Sequence, residues 1–255
     1  MDRRNLLKIM SLLIGGMILI RILDGQYMAY GGFMNWVLYN VEMLPGIVIG
    51  LSFHEFGHAW VSDRFGDPTP RRQGRISLNP LHHVDWIGFL CLLFAGFGWG
   101  KPVEIDPRYY KKPRRDEFLV SIAGVFMNLV TAVLFSILLR LLLMTSLSQM
   151  ISEDTMQGYM ALVLLRVVDY IIQINVVLMI FNLLPIPPLD GFGILTQIFD
   201  LRKKSWYMSF YRVGPILLVL LIMFGGLDFV LNPLTNGILS FLQRVIISPA
   251  MTAAV

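Results

Sequence analysis

Apolar stretches long enough to cross a lipid bilayer recur along the chain and constrain its fold more than any other feature. A helix that spans the hydrocarbon core needs about 20 mostly apolar residues, because each residue adds about 1.5 Å. Backbone polar groups inside lipid must bond within their own segment, so these stretches must be helical. The pattern predicts an all-α polytopic membrane protein with about five to six transmembrane helices. The candidate spans are residues 6–23, 36–62, 116–143, 157–184 and 213–231.

Composition excludes a soluble protein and a nucleic-acid partner. The 255 residues are 56% hydrophobic and 15% charged, with a mean hydropathy of +0.65, which is too apolar for a soluble domain of this length. The net charge of +4 comes from Lys and Arg residues that cluster at the ends of apolar segments. Such clusters indicate topology and contact with membrane lipid. The single cysteine, Cys91, excludes an internal disulfide.

The basic residues also predict the orientation. Arg3, Arg4 and Lys8 precede the first apolar stretch, so the N-terminus is expected in the cytoplasm. That stretch is expected to be retained as a span, because no small-residue cleavage site follows it. The loop 64–75 is rich in Arg, whereas the loop 146–158 has no basic residue. The first loop is therefore predicted to be cytoplasmic and the second external.

Two segments fit the pattern of a span less well. Residues 86–99 are apolar but number only about fourteen, and both flanks are basic, so the segment is predicted to be a short re-entrant, β-like element that enters the membrane and returns. Residues 234–248 suit either an interfacial helix or a final short span. A single integral-membrane domain, 1–255, is expected with its core at 36–195. Peripheral helices would occupy 6–23 and 213–248.

A metal-binding motif lies inside the second apolar stretch, where the sequence LSFHEFGHAW contains H-E-x-x-H. On a helix, His54 and His58 lie on one face and both imidazoles reach one zinc ion. Glu55 lies about 100° round the helix, where a carboxylate can take a proton from a water that attacks a carbonyl. Burying these three groups at membrane depth is costly, which favours a functional site over two structural histidines and a chance Glu.

A catalytic zinc site needs a third protein ligand. The remaining histidines, His82 and His83, are candidates, and so is an acidic residue. Asp190 is the strongest acidic candidate, because its segment returns to the depth of His54 and is broken there by the prolines of the sequence PIPP at 185–188. A broken helix lets a short carboxylate face an ion.

The chain resembles the site-2 protease family of intramembrane zinc metalloproteases, in its compact prokaryotic branch without a PDZ domain. The H-E-x-x-H motif and the N-x-x-P-x-x-x-x-D-G pattern from Asn182 to Gly191 carry the resemblance. Further similarity covers GRISLNP at 74–80, GFGWGKPV at 96–103 and SIAG at 121–124. Val125 stands where the family usually has proline, which is expected to loosen the start of that helix without removing a ligand.

This resemblance implies a Zn²⁺ endopeptidase that cleaves transmembrane protein substrates in a prokaryotic cell membrane. The distribution of basic residues predicts that its zinc site lies toward the cytoplasm. The resemblance also implies metal ligands His54, His58 and Asp190 and a catalytic Glu55. Candidate substrate-binding residues are Asn182, Asn128, Gly98, Trp99 and Gly100. The last three would lie in a strand edge that pairs with an extended substrate. The alternative is a plain Gly/Pro turn at the membrane surface, with Trp99 as an interface anchor. Asn128 and Asn182 also suit purely structural hydrogen bonds, and the oligomeric state stays open.

Two other functions use the same residues. A membrane zinc carrier or sensor would bind the metal without hydrolysis, although transport requires no general base such as Glu55. A catalytically inactive scaffold would bind transmembrane partners, although the intact motif argues against it. Elsewhere, Arg166 and Asp169 are spaced to pair on one helix face, and this pair is predicted to be structural.

Overall fold

Seven helices of ten or more residues organise the computed structural model, which describes residues 11–12, 14–16, 25–95, 98–152 and 154–248. The helices are α1 (Phe33–Arg64), α2 (Trp86–Ala95), α3 (Pro113–Leu143), α4 (Met156–Asn182), α5 (Asp190–Phe199), α6 (Tyr207–Met223) and α7 (Asp228–Leu242). A four-residue helix, Thr69–Arg72, follows α1, and a π-helical turn, Gln243–Ile247, continues α7. Short 3-10 turns cover Gln26–Tyr30, Pro80–His82, Pro107–Tyr109, Ser146–Met150 and Leu201–Lys203.

Three of these helices, α1, α3 and α4, are long and apolar enough to cross a membrane. The α6 helix and the α7 segment up to Ile247 pass the same test together but are bent by 75° at their junction, so the described residues contain three spans, or four if this pair is one. The all-α membrane fold is therefore confirmed. Of the predicted first span, 6–23, only residues 11–12 and 14–16 are described, and the total of five to six spans stays a prediction.

Glycines let α1 approach α4 closely. A Cβ added at Gly46 would lie 2.8 Å from the Ile174 side chain and 3.0 Å from the Tyr170 carbonyl oxygen, and one at Gly50 would lie 2.6 Å from Leu178. Helices inside a membrane gain little from the hydrophobic effect and associate through such close van der Waals packing. The contact fixes α1, which carries the H-E-x-x-H motif, against α4.

The chain reverses direction between α2 and Gly100. The ten residues of α2 are too few to cross a membrane, and the chain then returns so that Gly100 pairs with Val84 in an isolated antiparallel bridge. Gly88 and Gly98 allow the two halves to touch, since a Cβ on Gly98 would lie 2.1 Å from the Gly88 carbonyl oxygen. The chain thus reverses here around a single bridge, with no strand among the described residues. That this segment enters the membrane and returns stays a prediction.

Three details differ from the sequence prediction. The span predicted to reach residue 231 ends at Met223, because Gly225 adopts a positive φ of 66° that terminates the helix. Helix α5 was not predicted, since it is short and follows a proline-rich break. The predicted Arg166–Asp169 pair is wrong. Arg166 Nε instead lies 3.7 Å from Glu42 Oε2.

Candidate active site

Helix α1 presents both histidines of the motif on one face. Their Nε2 atoms are 3.1 Å apart, and their rings meet edge to face with centroids 4.7 Å apart. His54 is buried, and only 12% of the His58 side chain is exposed. One helical turn separates the two residues, so the backbone alone brings the two nitrogens together.

Asp190 completes the cluster from the far side of the cavity. Its Oδ2 atom lies 3.2 Å from Nε2 of His54 and 3.2 Å from Nε2 of His58. The chain reaches this position because α4 ends at Asn182 and reverses tightly before α5 begins at Asp190. Gly191 makes the reversal possible, since a Cβ there would lie 2.1 Å from the Leu183 carbonyl oxygen.

The three ligand atoms fit a zinc ion. They form a triangle with sides of 3.1 to 3.2 Å, and a tetrahedral site with bonds of about 2.0 Å has edges of about 3.3 Å. Asp190 Oδ2 is buried and has no hydrogen-bond donor in the described part of the chain, which is costly for a carboxylate oxygen. Two imidazoles and one carboxylate are a donor set that catalytic zinc uses.

Hydrogen bonds behind the histidines fix their orientation. His58 Nδ1 donates to the Val120 carbonyl oxygen at 2.7 Å, and His54 Nδ1 donates to Asn128 Oδ1 at 2.7 Å. The amide nitrogen of Asn128 donates to the carbonyl oxygen of Gly50 and to Asn175 Oδ1, each at 3.0 Å, which places Oδ1 toward His54. Both protons therefore sit on Nδ1, and both Nε2 lone pairs face Asp190 and the space for the ion.

Close packing of α1 against α3 forms the floor of this cluster. A Cβ on Gly124 would lie 2.4 Å from His58 Nε2 and 2.7 Å from His54 Cε1, and a Cβ on Gly57 would lie 2.7 Å from the Ala123 carbonyl oxygen. Neither position tolerates a side chain without moving an imidazole or a helix backbone. The site therefore depends on two glycines that bind nothing themselves.

Glu55 lies beside the cluster and is held by backbone. Its Oε2 atom accepts a hydrogen bond of 2.8 Å from the Val103 N–H, which leaves Oε1 available to another donor. Glu55 and the three ligands open into a cavity of about 460 Å³. The wall of this cavity also includes Leu51, Gly98, Trp99, Gly100, Pro102, Val103, Ile105, Val120, Ser121, Leu178, Phe181, Asn182, Pro188 and Leu189.

The structure separates the candidate substrate-binding residues into two groups. Gly98, Trp99, Gly100 and Asn182 line the cavity, and the Asn182 amide nitrogen donates to the Leu178 carbonyl oxygen at 2.9 Å. Asn128 is fully buried behind His54 and does not line the cavity. Through its hydrogen bond to Nδ1, Asn128 orients the His54 imidazole.

His82 and His83, the other candidate ligands, support the loop instead. His82 Nδ1 is 2.9 Å from the Gly74 carbonyl oxygen and His83 Nε2 is 2.7 Å from that of Ser77. Burial holds the pKa of His83 below its ordinary value, so its imidazole is neutral and Nε2 is the donor. The His83 carbonyl oxygen accepts from the Lys101 N–H at 2.7 Å and so anchors the segment that carries Gly100.

Sequence reasoning missed Asn175, Gly124 and the backbone groups of Val120 and Val103. Asn175 carried a signal, since an amide in the middle of an apolar helix needs a partner. Gly124 belongs to the SIAG motif, but the motif does not indicate its packing role, because that role depends on imidazoles carried by another helix.

The profile of peptidase family M50 matches residues 42–224, which include every residue of this cluster. The chain belongs to peptidase family M50. The protein named "Putative zinc metalloprotease YwhC" of Bacillus subtilis is 35% identical over 207 residues, which cover 80% of this M50 peptidase and 91% of that relative. The "Putative zinc metalloprotease Rip2" of Mycolicibacterium smegmatis is 30% identical over 215 residues, 78% of each chain. No solved structure matches this M50 peptidase. The resemblance to the site-2 protease family is thus confirmed.

Proposed function

We propose that this M50 peptidase is a zinc-dependent endopeptidase that hydrolyses peptide bonds in or near transmembrane segments of membrane proteins. The observation that carries the proposal is the cluster of His54, His58 and Asp190, whose ligand atoms lie within 3.2 Å of one another with Glu55 beside them. The cluster opens into a cavity between membrane-spanning helices. Nothing in this geometry favours a zinc carrier or sensor.

His54, His58 and Asp190 would hold the zinc, with His54 and His58 oriented from behind by Asn128 and the Val120 carbonyl. Zinc held by these residues would supply Lewis-acid chemistry, which polarises a carbonyl and makes a water molecule more acidic. The Asp190 carboxylate and two neutral imidazoles give the ligand set a charge of −1, which stabilises a dication without cancelling its acidity.

Glu55 acts as the general base and then as the general acid. With Oε2 held by the Val103 N–H, Oε1 accepts a proton from the attacking water and passes it to the nitrogen of the leaving amine. The water oxygen first bonds to the carbonyl carbon, so that the carbonyl oxygen takes the negative charge, and the C–N bond breaks once its nitrogen has received the proton. The Val103 bond keeps the carboxylate aimed at the cavity throughout.

Asn182, which lines the cavity, is our candidate for the donor that stabilises the oxyanion. One hydrogen of its amide is used by the Leu178 carbonyl oxygen, and the second is available to a substrate oxygen, since an amide nitrogen has two donors. Such a donor contributes about 3 kcal/mol when it is held in place.

The segment from Gly98 to Val103 presents the substrate as an extended strand. Lys101 bonds to His83 on one edge of this segment, so the groups of Gly100 point to the opposite edge because donors alternate along a strand. A transmembrane helix hides its peptide bonds in its own hydrogen bonds, and pairing with the backbone groups of Gly100 would expose them.

The test of the chemistry is Glu55→Gln in the full chain, purified in detergent and incubated with transmembrane peptides. The glutamine keeps the shape and an acceptor for the Val103 N–H but has no basic oxygen, so roughly one zinc per chain and no cleavage are expected. Glu104→Gln, which changes an exposed acid that bonds to Gln73, is the matched control. Cleavage by Glu55→Gln at the wild-type rate would refute the mechanism.

We further propose that the chain lies in a prokaryotic cell membrane with the zinc site near its cytoplasmic face. In a Cys91→Ser background, cysteines at Ser148 or Ser152 should react with an impermeant thiol reagent from outside intact cells, and cysteines at Gln73 or Ser205 should not. The reverse labelling pattern would place the site near the outer face.

A further inference from the structure

A second polar cavity, with a volume of about 570 Å³, lies at the other end of the α1–α4 pair. Glu42 precedes His54 by twelve residues on α1, about 18 Å of helix, and Arg166 precedes Asn182 by sixteen residues on α4, about 24 Å. The cavity is therefore near the membrane face opposite the zinc site. Its lining residues are Tyr30, Asn35, Leu38, Tyr39, Glu42, Tyr159, Arg166 and Tyr170.

The charged groups of this cavity form an open pair. Arg166 Nε is 3.7 Å from Glu42 Oε2, whereas a guanidinium and a carboxylate in contact are about 2.7 to 2.9 Å apart. Arg166 Nε is buried and has no hydrogen-bond acceptor among the described residues. The Glu42 side chain is 9% exposed and that of Arg166 is 41% exposed. The cation thus reaches the opening while the anion lies deeper.

Tyrosine rings surround the pair. The rings of Tyr30 and Tyr39 are 4.7 Å apart at 40°, and those of Tyr39 and Tyr170 are 5.6 Å apart at 84°. Differently tilted rings present both faces and edges to the cavity, and the faces attract cations. The Tyr39 and Tyr170 hydroxyls add groups that donate or accept hydrogen bonds.

This combination selects a ligand that carries both charges. The Glu42 carboxylate would repel a simple anion, and the Arg166 guanidinium would repel a simple cation. A zwitterion places a phosphate at the exposed guanidinium, which suits phosphate oxygens, and an ammonium against Glu42 and the tyrosine faces. Glu42 accepts hydrogen bonds from the N–H groups of a primary ammonium, which a quaternary ammonium lacks.

The surface beside the cavity favours a lipid as the source of this headgroup. Phe33 is 62% exposed, Leu38 40% and Val41 54%, and all three lie in the first turns of α1. Leu38 also lines the cavity, so an apolar surface runs continuously from the charged pair onto the outside of the helix. We propose that this cavity binds the headgroup of a phospholipid with a phosphate and a primary ammonium group, whose acyl chains lie along α1.

The test is lipid binding to the full chain purified in detergent, followed by native mass spectrometry and by thermal unfolding. The probes are dioleoyl phosphatidylethanolamine, the corresponding phosphatidylcholine and phosphatidylglycerol, and soluble phosphoethanolamine. Phosphatidylethanolamine should bind about tenfold more tightly than the other two lipids, and it alone should raise the unfolding temperature clearly. Soluble phosphoethanolamine should bind much more weakly, because it has no acyl chains.

Glu42→Gln and Arg166→Gln should each weaken phosphatidylethanolamine binding about tenfold and remove its preference over the other lipids. Asp169→Asn is the matched control, because Asp169 is on the same helix but bonds to Gln173 and does not line the cavity. If the two variants do not fold, the lipid ranking of the wild-type chain decides. Equal binding of all three lipids, or a response to phosphoethanolamine equal to that of the lipid, would overturn the proposal.

Discussion

The charged and polar groups at the two ends of the α1–α4 pair are arranged in different ways. At the zinc end, Nδ1 of His54 and Nδ1 of His58 each have a hydrogen-bond partner, and the two Nε2 atoms converge on Asp190. At the other end, Glu42 and Arg166 stand 3.7 Å apart and Arg166 Nε lacks a partner in the described segments. The first end is prearranged for one small ion at fixed distances. The second is open, and suits a larger ligand that bridges separated charges.

If the zinc site and the lipid cavity act independently, a change at one should leave the other unaffected. The largest effect at the zinc site is expected from Asp190→Ala. Removing one of three ligands should lower zinc affinity by on the order of a thousandfold, about 4 kcal/mol, and abolish cleavage. The lipid response at the opposite end should be unchanged. Metal analysis after dialysis and thermal unfolding with phosphatidylethanolamine measure the two ends separately.

The control is Asp200→Ala, at the end of α5, where the carboxylate bonds to exposed Lys203. The assignment of the third ligand is wrong if Asp190→Ala retains its zinc while His82→Ala or His83→Ala loses it.

A second test separates substrate presentation from metal binding at the zinc end. A Cβ on Gly100 would lie 3.1 Å from the His83 carbonyl oxygen and 3.8 Å from Leu51, so Gly100→Ala shifts the edge slightly. Cleavage should fall roughly a hundredfold, because catalysis is sensitive to a displacement of about 1 Å, while zinc content stays constant. Peptidase assays and metal analysis on the same preparation test this.

Gly98 is unsuitable for the same experiment, since its Cβ would collide with the Gly88 backbone at 2.1 Å. Gly237→Ala, in α7 with no neighbouring atom within 4 Å, is the control. Normal cleavage by Gly100→Ala would exclude the strand edge and leave the zinc chemistry untouched.

The smallest expected effect on zinc affinity comes from the side-chain amides of Asn128 and Asn175, which lie behind His54. Asn128→Ala removes the acceptor of His54 Nδ1 and should weaken zinc binding about 10- to 100-fold. Asn175→Ala removes one hydrogen-bond partner of Asn128, and it should weaken zinc binding less than Asn128→Ala does, by about tenfold or below. Competition with a chelator measures both constants.

Asn40→Ala is the control, because its amide nitrogen bonds to the carbonyl oxygen one turn earlier, as that of Asn175 does. An Asn175 effect larger than that of Asn128 would show that the amide chain does not act through His54.

Sequence patterns predicted the features that depend only on residues close together in the chain. The spans of α1, α3 and α4 followed from length and apolarity, and the pairing of His54 with His58 followed from helical spacing. Asp190 required the break after α4 and the family resemblance as well. Three features were missed, because each joins helices whose relative placement no local pattern encodes. They are the proximity of Arg166 to Glu42, the contact of Asn175 with Asn128 and the position of Gly124 beneath the imidazoles.

The wide separation in sequence of the proposed zinc ligands has a consequence for biosynthesis. His54 and His58 emerge from the ribosome 136 and 132 residues before Asp190, and α3 and α4 must insert between the histidines and the aspartate. Two histidines alone hold zinc weakly, so a half-made chain carries the general base but no firmly bound metal. We expect a chain truncated before Pro185 to insert its helices and yet purify without zinc. Proteolytic competence would then arrive late in synthesis, after α1, α3 and α4 are in the membrane, which protects neighbouring nascent proteins from a prematurely active enzyme.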